Sequence, residues 1–208
     1  HWLDAPGRCD IATIARLGAA TARAAHSLHQ QNVCHLDLKP ANVLVKEDCT
    51  AVLLDFGLSC HAHYPDLLAE EMRQAVGSPA WIAPEQVVGV RGDPRSDIFA
   101  IGVMLYELAT GELPFGAPTT SGGMRQRLWM TPAPPRKHRA DIPPWLQEVI
   151  LRCLEPEAAS RYPSAAHLAF DLSNPEQVLI TERGERTERT PLRLSLIHIS
   201  EPTRQAEI

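Results

Sequence analysis

The sequence predicts a mainly α chain carrying one short β-hairpin, and three observations support this. From 11 to 31 the apolar or small residues Ile11, Ile14, Gly18, Ala22, Ala25 and Leu28 recur at helical spacing. Residues 98–110 are apolar on nearly every side, the pattern of a helix buried all round. Two short β-prone runs, 43–45 and 52–54, flank the polar stretch Lys46-Glu47-Asp48 and should pair as a hairpin.

The first helix has a plausible N-cap in Asp10 and a stop at Asn32. Its buried stripe is made of small residues, so a neighbouring helix can come close. Residues 58–79 hold His, Tyr, Pro and charges with no period and read as an irregular segment, with a helical turn at 69–74. Ser96 or Asp97 should open the buried helix, and Gly111 should cap its C-terminus. Leu113-Pro114-Phe115 reads as a buried connector. Residues 121–130 can be helical with Trp129 against the core, and Pro132, Pro134 and Pro135 enforce an extended loop. Pro143 and Pro144 start a helix reaching about Leu154, with Leu146, Val149, Ile150 and Cys153 inward. A last helix ends near Leu172. Residues 174–190 are polar, with Glu-Arg repeats, and cannot bury enough apolar surface to fold alone.

With 208 residues the chain suits one ordinary domain, and a net charge of −5 argues against a nucleic-acid surface. Cys9, Cys34, Cys49, Cys60 and Cys153 are odd in number and unpatterned, which reads as reduced thiols in a cytoplasmic protein. Cys60, His61 and His63 read as a solvated loop rather than a metal site. The longest apolar run is too short to cross a membrane, so no membrane segment is expected in this stretch.

The chemistry concentrates in His35-Leu36-Asp37-Leu38-Lys39-Pro40-Ala41-Asn42, directly before the hairpin. An Asp can take a proton from a hydroxyl, a Lys can neutralise a phosphate, and an Asn carbonyl is a hard oxygen suited to Mg²⁺. The second hairpin strand ends in Asp55-Phe56-Gly57, and pairing should carry Asp55 back beside Asn42. A carboxylate and an amide oxygen would then converge where a metal–nucleotide complex could bind.

These motifs resemble those of eukaryotic-type Ser/Thr protein kinases, including the bacterial ones. The loop 35–42 looks like the catalytic loop, and Asp55-Phe56-Gly57 looks like the metal-binding motif. Ala83-Pro84-Glu85 is similar to the motif closing the activation segment. Asp97, Gly102 and Arg161 follow in family order, the last as the partner expected to form a buried ion pair with Glu85. The likeness covers residues 10–172. It implies the mainly α large lobe of a kinase, with the small N-terminal lobe missing: no Gly-rich phosphate loop and no Val-Ala-x-Lys strand are present, and both are expected to precede His1.

By matching positions, the resemblance implies that Asp37 is the base for a protein Ser or Thr hydroxyl and that Lys39 stabilises the transferring γ-phosphate of ATP. Asn42 and Asp55 would hold Mg²⁺, and Leu44 would form the floor under the adenine. Ser78 is expected to bond Asp37 and Lys39, and Asp97 to receive backbone N–H groups of the loop. A pseudokinase scaffold, a small-molecule phosphotransferase and an inactive helical domain are the alternatives. The chain departs from the family at Leu36, where an Arg usually pairs with a phosphorylated activation segment. Activity independent of such phosphorylation is the expectation, with Arg73 as a possible partner for a modified Tyr64. Residues 1–172 are thus expected to be the lobe and 173–193 a polar linker, loosely similar to the segment preceding a fused downstream domain. Residues 194–208 resemble a translated sequencing adaptor and are set aside as non-native.

Overall fold

The computed structural model describes residues 9–46, 48–67 and 77–185. The expected turn at 69–74 and the adaptor-like tail lie outside them.

Asp10 takes extended backbone and accepts the Thr13 N–H at 2.8 Å, which starts helix α1, Ile11–His29. Asn32, at φ 59°, turns the chain out of it. The small stripe matters for approach. A Cβ on Gly18 would stand 2.6 Å from a methyl of Leu105 and 3.0 Å from one of Leu172, so two further helices close over this face.

Strand β1, Val33–Cys34, leads into the loop 35–39 and a 3₁₀ turn, Pro40–Asn42. Strands β2, Val43–Val45, and β3, Ala51–Leu53, then pair antiparallel, with Val43 opposite Leu53. The ladder continues one step, as Leu54 N–H donates to Asn42 O at 2.9 Å. A second ladder was not anticipated. Strand β4, Cys60–His61, runs antiparallel to β1, so the segment expected to be irregular begins with a strand.

Helix α2, Pro84–Val87, precedes the central helix α3, Arg95–Thr110, whose residues are buried apart from Arg95, Glu107 and Thr110. The sequence reading placed its start at Ser96 or Asp97. The helix begins earlier, at Arg95, because Asp93 accepts the Arg95 N–H at 2.9 Å and leaves Asp97 inside the first turn. Gly111, at φ 81°, adopts the left-handed C-cap and donates to Glu107 O.

Helix α4, Ser121–Arg125, tightens into a 3₁₀ turn, Gln126–Leu128. Trp129 does not pack inward as expected but is 46% exposed. Three residues per turn in place of 3.6 shift the inward position to Arg127. Pro135 opens a short helix, α5, Pro135–His138, rather than extending the loop. Its ring is preset for a first helical position. Helix α6, Pro144–Cys153, turns Leu146, Val149, Ile150 and Cys153 fully inward against α3. Helix α7, Ala165–Ser173, lies along α1.

Residues 174–185 are held by α6 and not by a core of their own. Val178 packs on the main core, Thr181 donates to Glu148 at 2.9 Å, and Arg183 pairs with Glu148 and Glu155.

A bidentate Glu85–Arg161 pair cross-links α2 to the segment before α7. Arg161 donates to both carboxylate oxygens of Glu85, at 2.7 and 2.8 Å, and to the carbonyls of Glu155, Arg95 and Pro156. Ser96 Oγ adds a third donor to Glu85 at 2.6 Å. Burial opposes the Glu85 charge, but the Arg161 guanidinium and the Ser96 hydroxyl outweigh it and hold the carboxyl below the usual range. A depressed carboxyl stabilises the fold above its unfolded pKa, and that contribution is lost as pH falls through the folded value. Arg161→Met should therefore cost about 3–5 kcal/mol at neutral pH, since it leaves Glu85 charged and unpaired. The cost should shrink below pH 4.5, the ordinary value for Glu, where Glu85 can be neutral. Urea unfolding of both chains across pH 3.5–7.5 measures this, and a pH-independent penalty would contradict it.

Candidate active site

The loop between β1 and β2 is held in an uncommon backbone shape. Leu36 sits at φ 64°, and Asp55 at the end of the hairpin at φ 62°. A left-handed leucine persists only where its surroundings fix it. Here Asp97 supplies the fixing. Its Oδ2 accepts the His35 N–H at 2.9 Å and its Oδ1 the Leu36 N–H at 2.8 Å. His29, from α1, meets the same Oδ2 at 2.8 Å. From the other side Gln86 Nε2 donates to Leu36 O at 2.9 Å, while Gln86 Oε1 accepts the Ala83 N–H.

His35 is fully buried and ties the two motifs together. Its Nε2 lies 2.9 Å from Leu54 O, which can only accept, and its Nδ1 faces the Asp37 N–H, which can only donate. The partners thereby set a neutral ring with the proton on Nε2. Its face lies 5.1 Å from the ring of Phe56.

Asp37 is 9% exposed and its carboxylate is engaged from three elements. Oδ1 accepts the Ser78 N–H at 2.8 Å. Oδ2 accepts Lys39 Nζ at 2.8 Å and Asn42 Nδ2 at 3.3 Å. Lys39 Nζ also donates to Ser78 Oγ at 2.8 Å, so Ser78 meets both residues, as the resemblance implied. A carboxylate offers about four lone-pair sites, so about one remains.

Asn42 Nδ2 donates to Asp37 O as well, at 2.9 Å, which leaves the amide oxygen for another partner. The Leu54–Asn42 backbone bond brings Asp55 to the same end of the hairpin. Asp55 is exposed, and one of its oxygens accepts the Gly57 N–H at 3.2 Å. Two hard oxygen donors on adjoining turns fit a divalent cation of the Mg²⁺ type. Leu44 points outward from the hairpin at 48% exposure, and Leu54 and Phe56 are similarly exposed. The sequence-predicted residues thus fall into a tight cluster of Asp37, Lys39 and Asn42, with Asp55 adjoining and Leu44 on the outer hairpin face.

Three side chains that organise this region were not singled out from the sequence: His29, Gln86 and Arg127. Arg127 is fully buried, with no carboxylate among its hydrogen-bond partners. It donates to Ile82 O at 2.5 Å, to Pro79 O at 2.8 Å and to Met124 O at 2.9 Å. Burial pulls its guanidinium down to about 10. It therefore clamps the backbone that follows Ser78. An Arg between two short turns gives no sequence signal for this, since most such residues are solvated.

Comparison with known proteins agrees with this geometry. The family model described as protein kinase domain matches residues 2–171. A probable serine/threonine-protein kinase of Clostridium acetobutylicum is 30% identical over 87% of this chain and 27% of its own length. The serine/threonine-protein kinase PknB of Mycolicibacterium smegmatis is 31% identical over 74% of this chain and 25% of its own. PknB of Mycobacterium tuberculosis is 29% identical over 81% and 28%. The chain thus spans about a quarter of the length of the curated relatives it matches. Protein kinases as a family use ATP and Mg²⁺, and no helix among the described residues is long and apolar enough to cross a membrane. With a family model matched over residues 2–171, most of its length, the chain belongs to the protein kinase family.

Proposed function

We propose that this chain is the large lobe of a Ser/Thr protein kinase that transfers the γ-phosphate of ATP to a protein hydroxyl. The observation that supports it most is the Asp37 carboxylate, engaged by Lys39, Asn42 and Ser78 yet with acceptor capacity left. Asp37 orients the incoming Ser or Thr hydroxyl and takes its proton. Lys39 neutralises charge on the transferring phosphoryl group from the adjacent position. Asn42 Oδ1 and the Asp55 carboxylate would hold Mg²⁺, which would supply charge screening at the phosphate oxygens. Leu44 would form the floor under the adenine. In this reading a kinase small lobe would supply the roof over the nucleotide. The backbone from Ser78 to Ile82, clamped by Arg127, receives the protein substrate. Cysteines that are odd in number and unpatterned suit a reducing, cytoplasmic setting for the lobe.

Phosphorylation of the activation segment is not needed in this reading. Leu36 is buried and carries no charge to receive a phosphate. The segment is instead tied from just beyond its end, since Arg91 pairs with Asp66 at 2.7 Å and donates to Leu58 O at 2.8 Å. Ser59 Oγ is bonded to Phe56 O and Ser78 to Lys39, which leaves Tyr64, 71% exposed, as the accessible hydroxyl. Arg73 lies outside the described residues.

Two outcomes are expected of a parent protein carrying its small lobe. Asp37→Asn should lower phosphoryl transfer to a Ser/Thr protein by about 10²–10⁴-fold, the range for removing a general base, with an unchanged circular dichroism spectrum. Transfer within about tenfold of the parent rate would remove Asp37 from the base role. Phosphatase treatment, and the double variant Ser59→Ala, Tyr64→Phe, should each leave most of the activity. Loss of most activity in either, with the fold intact, would show that the segment must be modified.

A further inference from the structure

Cys34 and Cys60 are direct partners across the β1–β4 ladder. Opposite residues in an antiparallel pair have Cα atoms about 4.5–5.5 Å apart and side chains on the same face. Both limits lie inside the span of about 4.4–6.8 Å that a disulfide bridges. The sulfurs also converge on one third residue. Cys34 Sγ lies 3.4 Å from Gly92 O, and Cys60 Sγ lies 3.7 Å from where a Cβ on Gly92 would stand. Both are free thiols.

We propose that Cys34 and Cys60 are a redox-active pair that closes to a disulfide, making this ladder an oxidation site one residue before the catalytic loop. The assignment does not depend on the phosphoryl-transfer reading.

The two thiols are unequal, and this sets the order of the chemistry. Cys34 is 6% exposed, whereas Cys60 is partly open to solvent. The neighbouring Cys34 side chain, with the nearby Arg91 charge, holds the Cys60 thiol below its ordinary value. Interaction with Cys60, with burial, pushes the Cys34 thiol up, and its S–H donates to Gly92 O. Cys60 is therefore the attacking group and Cys34 the resolving one. The oxidant is a low-molecular-weight disulfide. Cys60 thiolate attacks one of its sulfurs, forms a mixed disulfide and expels one thiolate. Cys34 sulfur then attacks Cys60 Sγ and expels the second thiolate, which leaves with the Cys34 proton. Two protein thiols are oxidised to one disulfide, and the small disulfide is reduced to two thiols.

The bond encloses residues 35–59, and so Asp37, Asn42 and Asp55 together. It joins the strand entering the catalytic loop to the start of the activation segment, which otherwise meet in a ladder of two residue pairs. Cys153 has no comparable exposure, being sealed between α3 and α6.

The test uses the 208-residue chain and oxidised glutathione. After native incubation, non-reducing digestion and mass spectrometry should show a product lighter by two hydrogens, with the Cys34 peptide joined to the Cys60 peptide. The link should survive in Cys49→Ser, whose thiol shares a tryptic peptide with Cys60, and vanish in Cys60→Ser. It should form at least about tenfold faster in the folded chain than in urea, because the fold holds the sulfurs at high effective concentration. A glutathione adduct without the internal link, a link that needs Cys49, or equal rates in folded and unfolded chains would each overturn the proposal.

Discussion

The carboxylate of Asp97 is the constraint from which the rest of this lobe follows. It sits at 1% exposure in the first turn of α3 and accepts donors from two separate parts of the chain: the N–H groups of His35 and Leu36, and the His29 ring. A buried charge is tolerated only when such donors surround it. In return, it fixes the left-handed turn at Leu36, directly before Asp37. Helix α3, buried along most of its length, thus sets the geometry of the loop 35–42. This explains why α3 is apolar on almost every side except at this end.

A second set of buried polar groups fixes the other wall of the site. Arg161 binds Glu85, Gln86 spans from Ala83 to the catalytic loop, and Arg127 grips the carbonyls between Pro79 and Ile82. None of these lies on a regular strand or a long helix. Residues 77–83 have no regular ladder to use their backbone groups, so side chains supply the partners instead. Buried cations take the role that a sheet would play elsewhere, and the segment acquires one shape next to Asp37.

Much of this was legible in the sequence because it rests on short-range rules. The helical period gave α1, all-round apolarity gave α3, and two β-prone runs around a polar turn gave the β2–β3 hairpin. The spacing from Asp37 to Asn42 gave a single cluster. Long-range polar contacts were legible only through the family resemblance, as for Glu85 with Arg161. Where that resemblance was silent, reading failed for physical reasons. Trp129 was placed inward and Arg127 was passed over because a 3₁₀ turn replaced an α-turn. The β1–β4 ladder was missed because two residue pairs leave no period to detect. The segment after residue 173 is polar, yet Arg183 and Thr181 dock on Glu148, a partner that composition does not reveal.

The most direct test of the Asp97 account is amide hydrogen exchange at His35 and Leu36, read by NMR in the wild-type chain and in Asp97→Asn. The substitution keeps the shape but removes the charge and one acceptor, leaving a buried N–H unpaired at an expected cost of about 1–3 kcal/mol. The account predicts roughly ten- to hundredfold faster exchange confined to the catalytic loop, with α3 and α6 amides unchanged. Unchanged exchange at His35 and Leu36, or an equal loss across all helices, would show that Asp97 does not hold the loop.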